Sequence, residues 1–202
     1  MRIPCVIASA FIILSCTNST RTNPSVDILS QHDTGSIITG GQTSDSSRWT
    51  GNFFKLQKAL TTGDRDAVKS FINFPIKSDG NEIWYLADSK LVMEIDPKEV
   101  KPFTETDFDK YFNSIFTLDL RETLKKLDNE EFFKTNKSTT PEIEVIKGSK
   151  SKLEASLDNS KNKITLALVT NLTEQGGLKF TIYFQFDILD KQNIEFAGVH
   201  VE

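Results

Sequence analysis

The order of residue patterns predicts an α+β fold in which N-terminal helices pack on a curved antiparallel sheet. Apolar residues recur at helical spacing in the stretch after Trp49, and they alternate with polar ones through the last third of the chain. Helices first and strands after is the order of an α+β domain, because a parallel sheet would interleave the two. The choice of core residue adds a third observation. Fifteen phenylalanines stand against two methionines, so the core is expected to be built on rings.

The elements follow in order. A first helix is expected over residues 50–61, where Phe53, Leu56 and Leu60 form a stripe flanked by Phe54 and Ala59. Lys55, Gln57 and Lys58 supply its polar face. Thr62-Gly63-Asp64 breaks it, and Asp64 can cap a second short helix carrying Ala67, Val68, Phe71 and Ile72. Phe74-Pro75 should end that helix, because the residue before proline is pushed out of the helical region. Asn81 to Ala87 and Lys90 to Ile95 are expected to form a hairpin joined by Asp88-Ser89, which would send Trp84 and Tyr85 to opposite sheet faces.

Thr104 or Thr106 then caps a helix whose acidic first turn suits the dipole. Phe108, Tyr111, Phe112, Ile115 and Phe116 give it an apolar face, and Thr117-Leu118-Asp119 turns the chain into Leu120, Leu124 and Leu127. The remainder reads as strands. Ile143 and Val145, and then Leu153, Ala155 and Leu157, alternate with polar residues, and Ile164 to Val169 follows the turn at Asn159 to Asn162. Phe180, Ile182, Phe184, Phe186 and Ile188 face one way along a long strand, while Thr181, Tyr183, Gln185 and Asp187 face the other. Asp190 to Asn193 turns the chain into a return strand from Ile194 to Val201. Such alternation predicts a sheet with one buried and one wet face.

The N-terminus carries a different signal. Arg2 precedes an apolar run, Ile3 to Leu14, of about twelve residues, too short for a bilayer span of roughly 20. The run ends in Ile13-Leu14-Ser15-Cys16, which resembles the lipobox of bacterial lipoproteins. The resemblance implies that residues 1–15 are a signal peptide, that the Cys16 thiol receives a diacylglycerol, and that the new amino group is acylated. At about 0.8 kcal/mol per buried methylene, three chains would hold the protein to the membrane essentially permanently. Thr17 and Asn18, rather than an acidic residue, follow the cysteine. The family's sorting pattern then implies the periplasmic face of the outer membrane.

Cys5 and Cys16 are the two cysteines, so the mature domain would contain neither a free thiol nor a disulfide. Residues 16–48 read as a flexible Ser/Thr-rich tether, too poor in apolar residues to bury a core. A coil of about 32 residues has a mean span of roughly 30 Å, enough to hold the domain clear of a membrane. Residues 49–202 then form a single α+β domain. A net charge of −4 argues against nucleic acid as a partner.

The domain's landmarks are Phe53-Phe54, Ala59-Leu60, Gly63-Asp64, Phe71-Ile72, Phe74-Pro75, Phe108, Tyr111-Phe112 and Ile115-Phe116, with a terminal hairpin ending near Gly198-Val199. They resemble exported domains of cystatin-like or NTF2-like cone architecture. That resemblance implies a pocket between helices and sheet, which in such folds serves isomerases, dehydratases, hydrolases and pure binders alike.

The chemistry on offer is sparse. His32 falls in the tether and His200 near the C-terminus, so neither a histidine metal site nor a Ser-His-Asp triad has material, and no cofactor is expected. Asp88, Glu94, Asp96, Glu99, Glu105, Asp107, Asp109, Asp128, Glu130 and Glu131 sit beside turns or on polar faces and read as solvated. Tyr183, Gln185 and Asp187 would line a pocket if their face of the strand is concave, and otherwise form the wet face of the sheet. Trp49, Trp84 and Tyr85 make a stacking patch if exposed, and core if packed. Gly40-Gly41 and Gly176-Gly177 lack the context of a phosphate loop.

Two readings of function follow. One is a non-catalytic binding module, held to the membrane by lipid on Cys16 and engaging an envelope protein, a glycan or a small apolar ligand. The other is a cone-type enzyme using a buried carboxylate. A deep pocket with a buried Asp or Glu beside a tyrosine would favour the second.

Overall fold

A computed structural model describes residues 47–77, 81–90, 100–173, 176–190 and 192–202. The leader, Cys16, the tether with His32 and Gly40-Gly41, and residues 91–99 with Glu94, Asp96 and Glu99 lie outside the described residues. The fold is α+β. Among the described residues, six helices precede a six-stranded, wholly antiparallel sheet. None of those helices is long and apolar enough to cross a membrane.

Helix α1 spans Ser47–Thr62 and buries Trp49, Phe53, Leu56, Ala59 and Leu60. It stops at Gly63, whose φ of +70° suits a residue without a Cβ. The Gly63 amide donates to Leu60 O and the Asp64 amide to Ala59 O, a Schellman closure. A Cβ at Gly63 would come within 2.7 Å of the Arg121 guanidinium. Helix α2 (Arg65–Lys69) begins as expected, with Asp64 accepting from the Ala67 amide, but it ends at Lys69. Phe71 and Ile72 therefore pack from a turn rather than from the helix, and the chain has left the helical region before Phe74-Pro75.

The expected hairpin is corrected at its first strand. Asn81 to Ala87 contains helix α3 (Ile83–Ala87), and most of Lys90 to Ile95 lies outside the described residues. The run has apolar residues at five consecutive positions, 83–87, so both periods fit it. Tertiary bonds select the helix. The Glu82 amide donates to Val199 O, Asn81 Oδ1 accepts from the amides of Ile83 and Val199, and the Glu82 carboxylate accepts from the Val201 amide. Trp84 is buried, with its Nε1 donating to Lys101 O, while Tyr85 is exposed.

Helix α4 (Glu105–Ile115) starts with a full capping box between Thr104 and Asp107 and buries Phe108, Phe112 and Ile115. Helix α5 (Leu118–Leu124) is capped by Thr117, and α6 (Asn129–Thr135) by Asp128. The sheet comprises β1 (Lys137–Thr139), β2 (Ile143–Ile146), β3 (Ser149–Asp158), β4 (Lys163–Leu172), β5 (Leu178–Leu189) and β6 (Asn193–Val201). Its order is β1-β3-β4-β5-β6, with β2 also pairing to β3 beyond the end of β1.

One sheet face carries the core. Alternation along β5 buries Ile182, Phe184, Phe186 and Ile188, as the sequence predicts. On β6 the register shifts opposite Gln185 and Phe186, so Phe196 and Val199 both point inward despite their odd spacing. Rings fill the space between helices and sheet. Phe116 stacks on Phe184 at 5.7 Å and meets Phe112 at 5.5 Å and Phe196 at 6.3 Å. A second group joins Trp49, Phe53, Phe132 and Phe133.

Candidate functional site

The same sheet face changes character toward one end. Antiparallel register brings the start of β3, the end of β4 and the start of β5 together, with Ser149 opposite Leu172 and Leu172 opposite Leu178. The inward positions there include the hydroxyl residues Ser149, Ser151 and Thr170. Helix α5 packs on β2 and β3 here, yet Ile146 and Leu178 remain exposed. A cleft of about 260 Å³ opens between Asp119, Ile146, Gly148, Ser149, Thr170, Leu172 and Phe180, with Lys147 at its mouth.

Asp119, in the first turn of α5, is the acid of this cleft. Its side chain is 9% exposed. Ser149 Oγ donates to Asp119 Oδ2 at 3.5 Å, the long limit of a hydrogen bond, and Oδ1 is buried without a hydrogen-bond partner. No lysine or arginine among the described residues pairs with it. Burial pushes the Asp119 carboxyl above the ordinary carboxylate value, and the nearby hydroxyls of Ser149 and Ser151 offset this only in part. Below it, Ser151 Oγ and Thr170 Oγ1 share a hydrogen bond of 3.1 Å across the strands. Thr123 Oγ1 bonds back to the Asp119 carbonyl at 2.7 Å and holds the α5 turn in place.

The turn at the mouth is also fixed. Gly148 sits at φ +78°, its amide donates to Glu144 Oε1 at 2.9 Å, and its carbonyl accepts from the Thr173 amide at 2.9 Å. The turn is thus held by one side-chain and one backbone hydrogen bond.

A second, wider depression of about 540 Å³ lies between α1, the 70–73 turn and the β5–β6 connection. It is lined by Asn52, Lys55, Ser70, Phe71, Asn193, Glu195 and neighbours. Lys55 is exposed and bonded to Asn52, and Asn52 Nδ2 donates to Gln192 O at 2.8 Å. Among the described residues that line it, no ionisable group is buried.

Tyr183, Gln185 and Asp187 share one face of β5, but that face is the one turned away from the helices, and neither cleft includes them. Tyr183 donates to Glu202 Oε2 at 2.9 Å and stacks on His200 at 6.0 Å. Asp187 pairs with Lys163 at 3.1 Å, and Gln185 lies opposite Gly198. His200 Nδ1 lies 3.1 Å from Glu82 Oε2, a contact that ties α3 to β6. Among the described residues no group of three His, Cys, Asp or Glu is placed to hold a metal ion. Cys16 lies outside the described residues.

The residues missed by sequence reasoning are Asp119, Ser149, Ser151 and Thr170. A signal existed for two of them. Continuing the inward parity of Leu153 and Ala155 back along the strand reaches Ser151 and Ser149, hydroxyls on a face that should be apolar.

No family model matches this chain, and no curated protein or solved structure is significantly similar to it. The chemistry of the site must therefore be judged from its own atoms. One buried carboxylate with hydroxyl neighbours can bind and orient a hydrogen-bond donor. None of the chain's three tyrosines, Tyr85, Tyr111 and Tyr183, lines the cleft.

Proposed function

We propose that this chain is a lipid-anchored protein of the bacterial envelope whose α+β domain is a non-catalytic binding module. Cys16 carries the lipid, residues 16–48 act as the tether, and the domain takes a small, partly apolar ligand in the Asp119 cleft. The observation that carries the reading is the cleft itself. An acid with no counter-charge among the described residues and a set of hydroxyls are held under an apolar rim, beside a core otherwise filled with rings. The lipobox-like Ile13 to Cys16 supports the anchor. Palmitate labelling of the full chain and of Cys16→Ala tests it: label confined to the unsubstituted chain is expected, and label kept by the variant would overturn the anchor. For the cleft, Thr170→Trp fills the space. Small molecules retained by the detergent-solubilised protein should be lost in that variant, and equal retention would refute the site.

One observation favours an NTF2-like enzyme as a second reading. Burial moves Asp119 in the direction that suits a general base. Against it stands the lack of a tyrosine partner in the cleft. On this reading Asp119→Asn would abolish deuterium exchange at the carbon acid of a bound carbonyl compound.

A further inference from the structure

We infer that the Asp119 cleft takes a primary ammonium group carried on a short apolar body. This rests on the binding-module reading above and names the ligand's chemistry. Asp119 Oδ1 is buried with no hydrogen-bond partner, and no cation among the described residues neutralises its carboxylate. A buried polar atom left without a partner carries a standing cost that a ligand donor removes. Ser149 and Thr170 place hydroxyl oxygens at the same wall, and these can accept further N–H bonds. An ammonium is all donor and no acceptor, so it meets this mixed carboxylate and hydroxyl surface without a mismatch.

Competing occupants fit worse. A hard divalent cation seeks six or more oxygen ligands, commonly from several carboxylates, and the described residues of the cleft offer a single acid. A quaternary ammonium is recognised by an aromatic cage, and Phe180 is the one ring in the lining. An anion would meet the Asp119 charge. The remaining walls, Ile146, Leu172 and Phe180, call for an apolar body. The volume of about 260 Å³ holds about nine water-sized groups at roughly 30 Å³ each, which limits that body to a few carbons. Lys147 stands exposed at the mouth and makes no ion pair with Asp119, so the acid is left free for a ligand.

The test titrates the full chain with hexylammonium, with hexanol as a neutral match and with hexanoate as an anionic one, following binding by calorimetry. Hexylammonium is expected to bind at least about tenfold more tightly than hexanol, with hexanoate weakest. Asp119→Asn should remove most of that preference, and Ser149→Ala should weaken ammonium binding by a smaller factor. Equal affinity for hexylammonium and hexanol, or a preference that survives Asp119→Asn, overturns the ammonium inference but leaves the cleft as a binding site. Thr170→Trp separates the two failures. If none of the probes binds and Thr170→Trp changes nothing that the envelope-purified protein retains, the binding-module reading falls as well.

Discussion

The two ends of the sheet's helix-facing side belong to one antiparallel sheet, yet they do different things. At one end Phe184, Phe186 and Phe196 meet Phe108, Phe112 and Phe116 from α4 and its C-terminal turn. At the other, Ser149, Ser151 and Thr170 lie under Asp119, where a cleft opens. The ring end maximises burial and leaves no room. The hydroxyl end keeps polar groups in a low-dielectric place where they contribute little to folding. A face that gives up packing at one end only, and there concentrates donors and acceptors, is arranged for contact with something else.

The sharpest way to test that division is to damage the ring end. Phe116 is 1% exposed and touches Phe108, Phe112, Phe184 and Phe196. Phe116→Ala should cost about 3–5 kcal/mol, read as a lower denaturant midpoint at an unchanged slope. A loss under about 1 kcal/mol would mean that the rings are loosely packed and that the two ends are alike.

The hydroxyl end should respond differently to single and paired changes. Ser151→Ala leaves the buried Thr170 hydroxyl without its 3.1 Å partner and should cost about 2 kcal/mol. Adding Thr170→Val removes both partners and should return most of that loss, because two apolar groups of similar shape satisfy each other. Additive losses in the double variant, measured by the same denaturation, would show that the hydroxyls hold the fold and are not spare chemistry.

Legibility in the sequence divides along the same line. The ring end was readable because period and punctuation agree: Thr104 caps, Phe108 to Ile115 repeats at helical spacing, and β5 alternates over its length. Asn81 to Ala87 was not, because its apolar run is too short to carry a period and its fate depends on bonds to Val199 and Val201. Helix α6 escaped notice because Glu130 and Glu131 look like solvated charges while only Phe132 is buried. Asp119 was hidden most completely. An acid two residues after a capping threonine looks like an ordinary partner of the helix dipole. Only the pairing of β2, β3 and β4 shows that the hydroxyls of Ser149 and Thr170 lie beside it.

Asp119 itself supplies a smaller effect of opposite sign. Because burial raises its carboxyl, the folded chain holds the proton more tightly than the unfolded chain does. The group's contribution is most favourable below the unfolded value of about 4 and declines as pH rises through the folded value. Asp119→Asn should therefore be more stable than the unsubstituted chain at neutral pH by about 1 kcal/mol. That gain should fade as the pH falls below the ordinary carboxylate range. Thermal midpoints for both chains from pH 3 to 8 would show it, and a variant less stable at neutral pH would mark Asp119 as structural.

The smallest effect belongs to the reverse side of β5. Tyr183 is polar like the cleft residues, but its hydroxyl reaches the exposed carboxylate of Glu202, where water can replace the bond. Glu202 also holds the Tyr183 hydroxyl above its ordinary range, chiefly through that hydrogen bond. Tyr183→Phe keeps the ring that stacks on His200 and should change stability by less than about 0.5 kcal/mol. Ligand binding at Asp119 should not respond at all, since the two side chains lie on opposite faces of the sheet. If Tyr183→Phe weakened binding as much as Asp119→Asn does, the division between the faces would fail, and the polar side of β5 would have to be counted as part of the site.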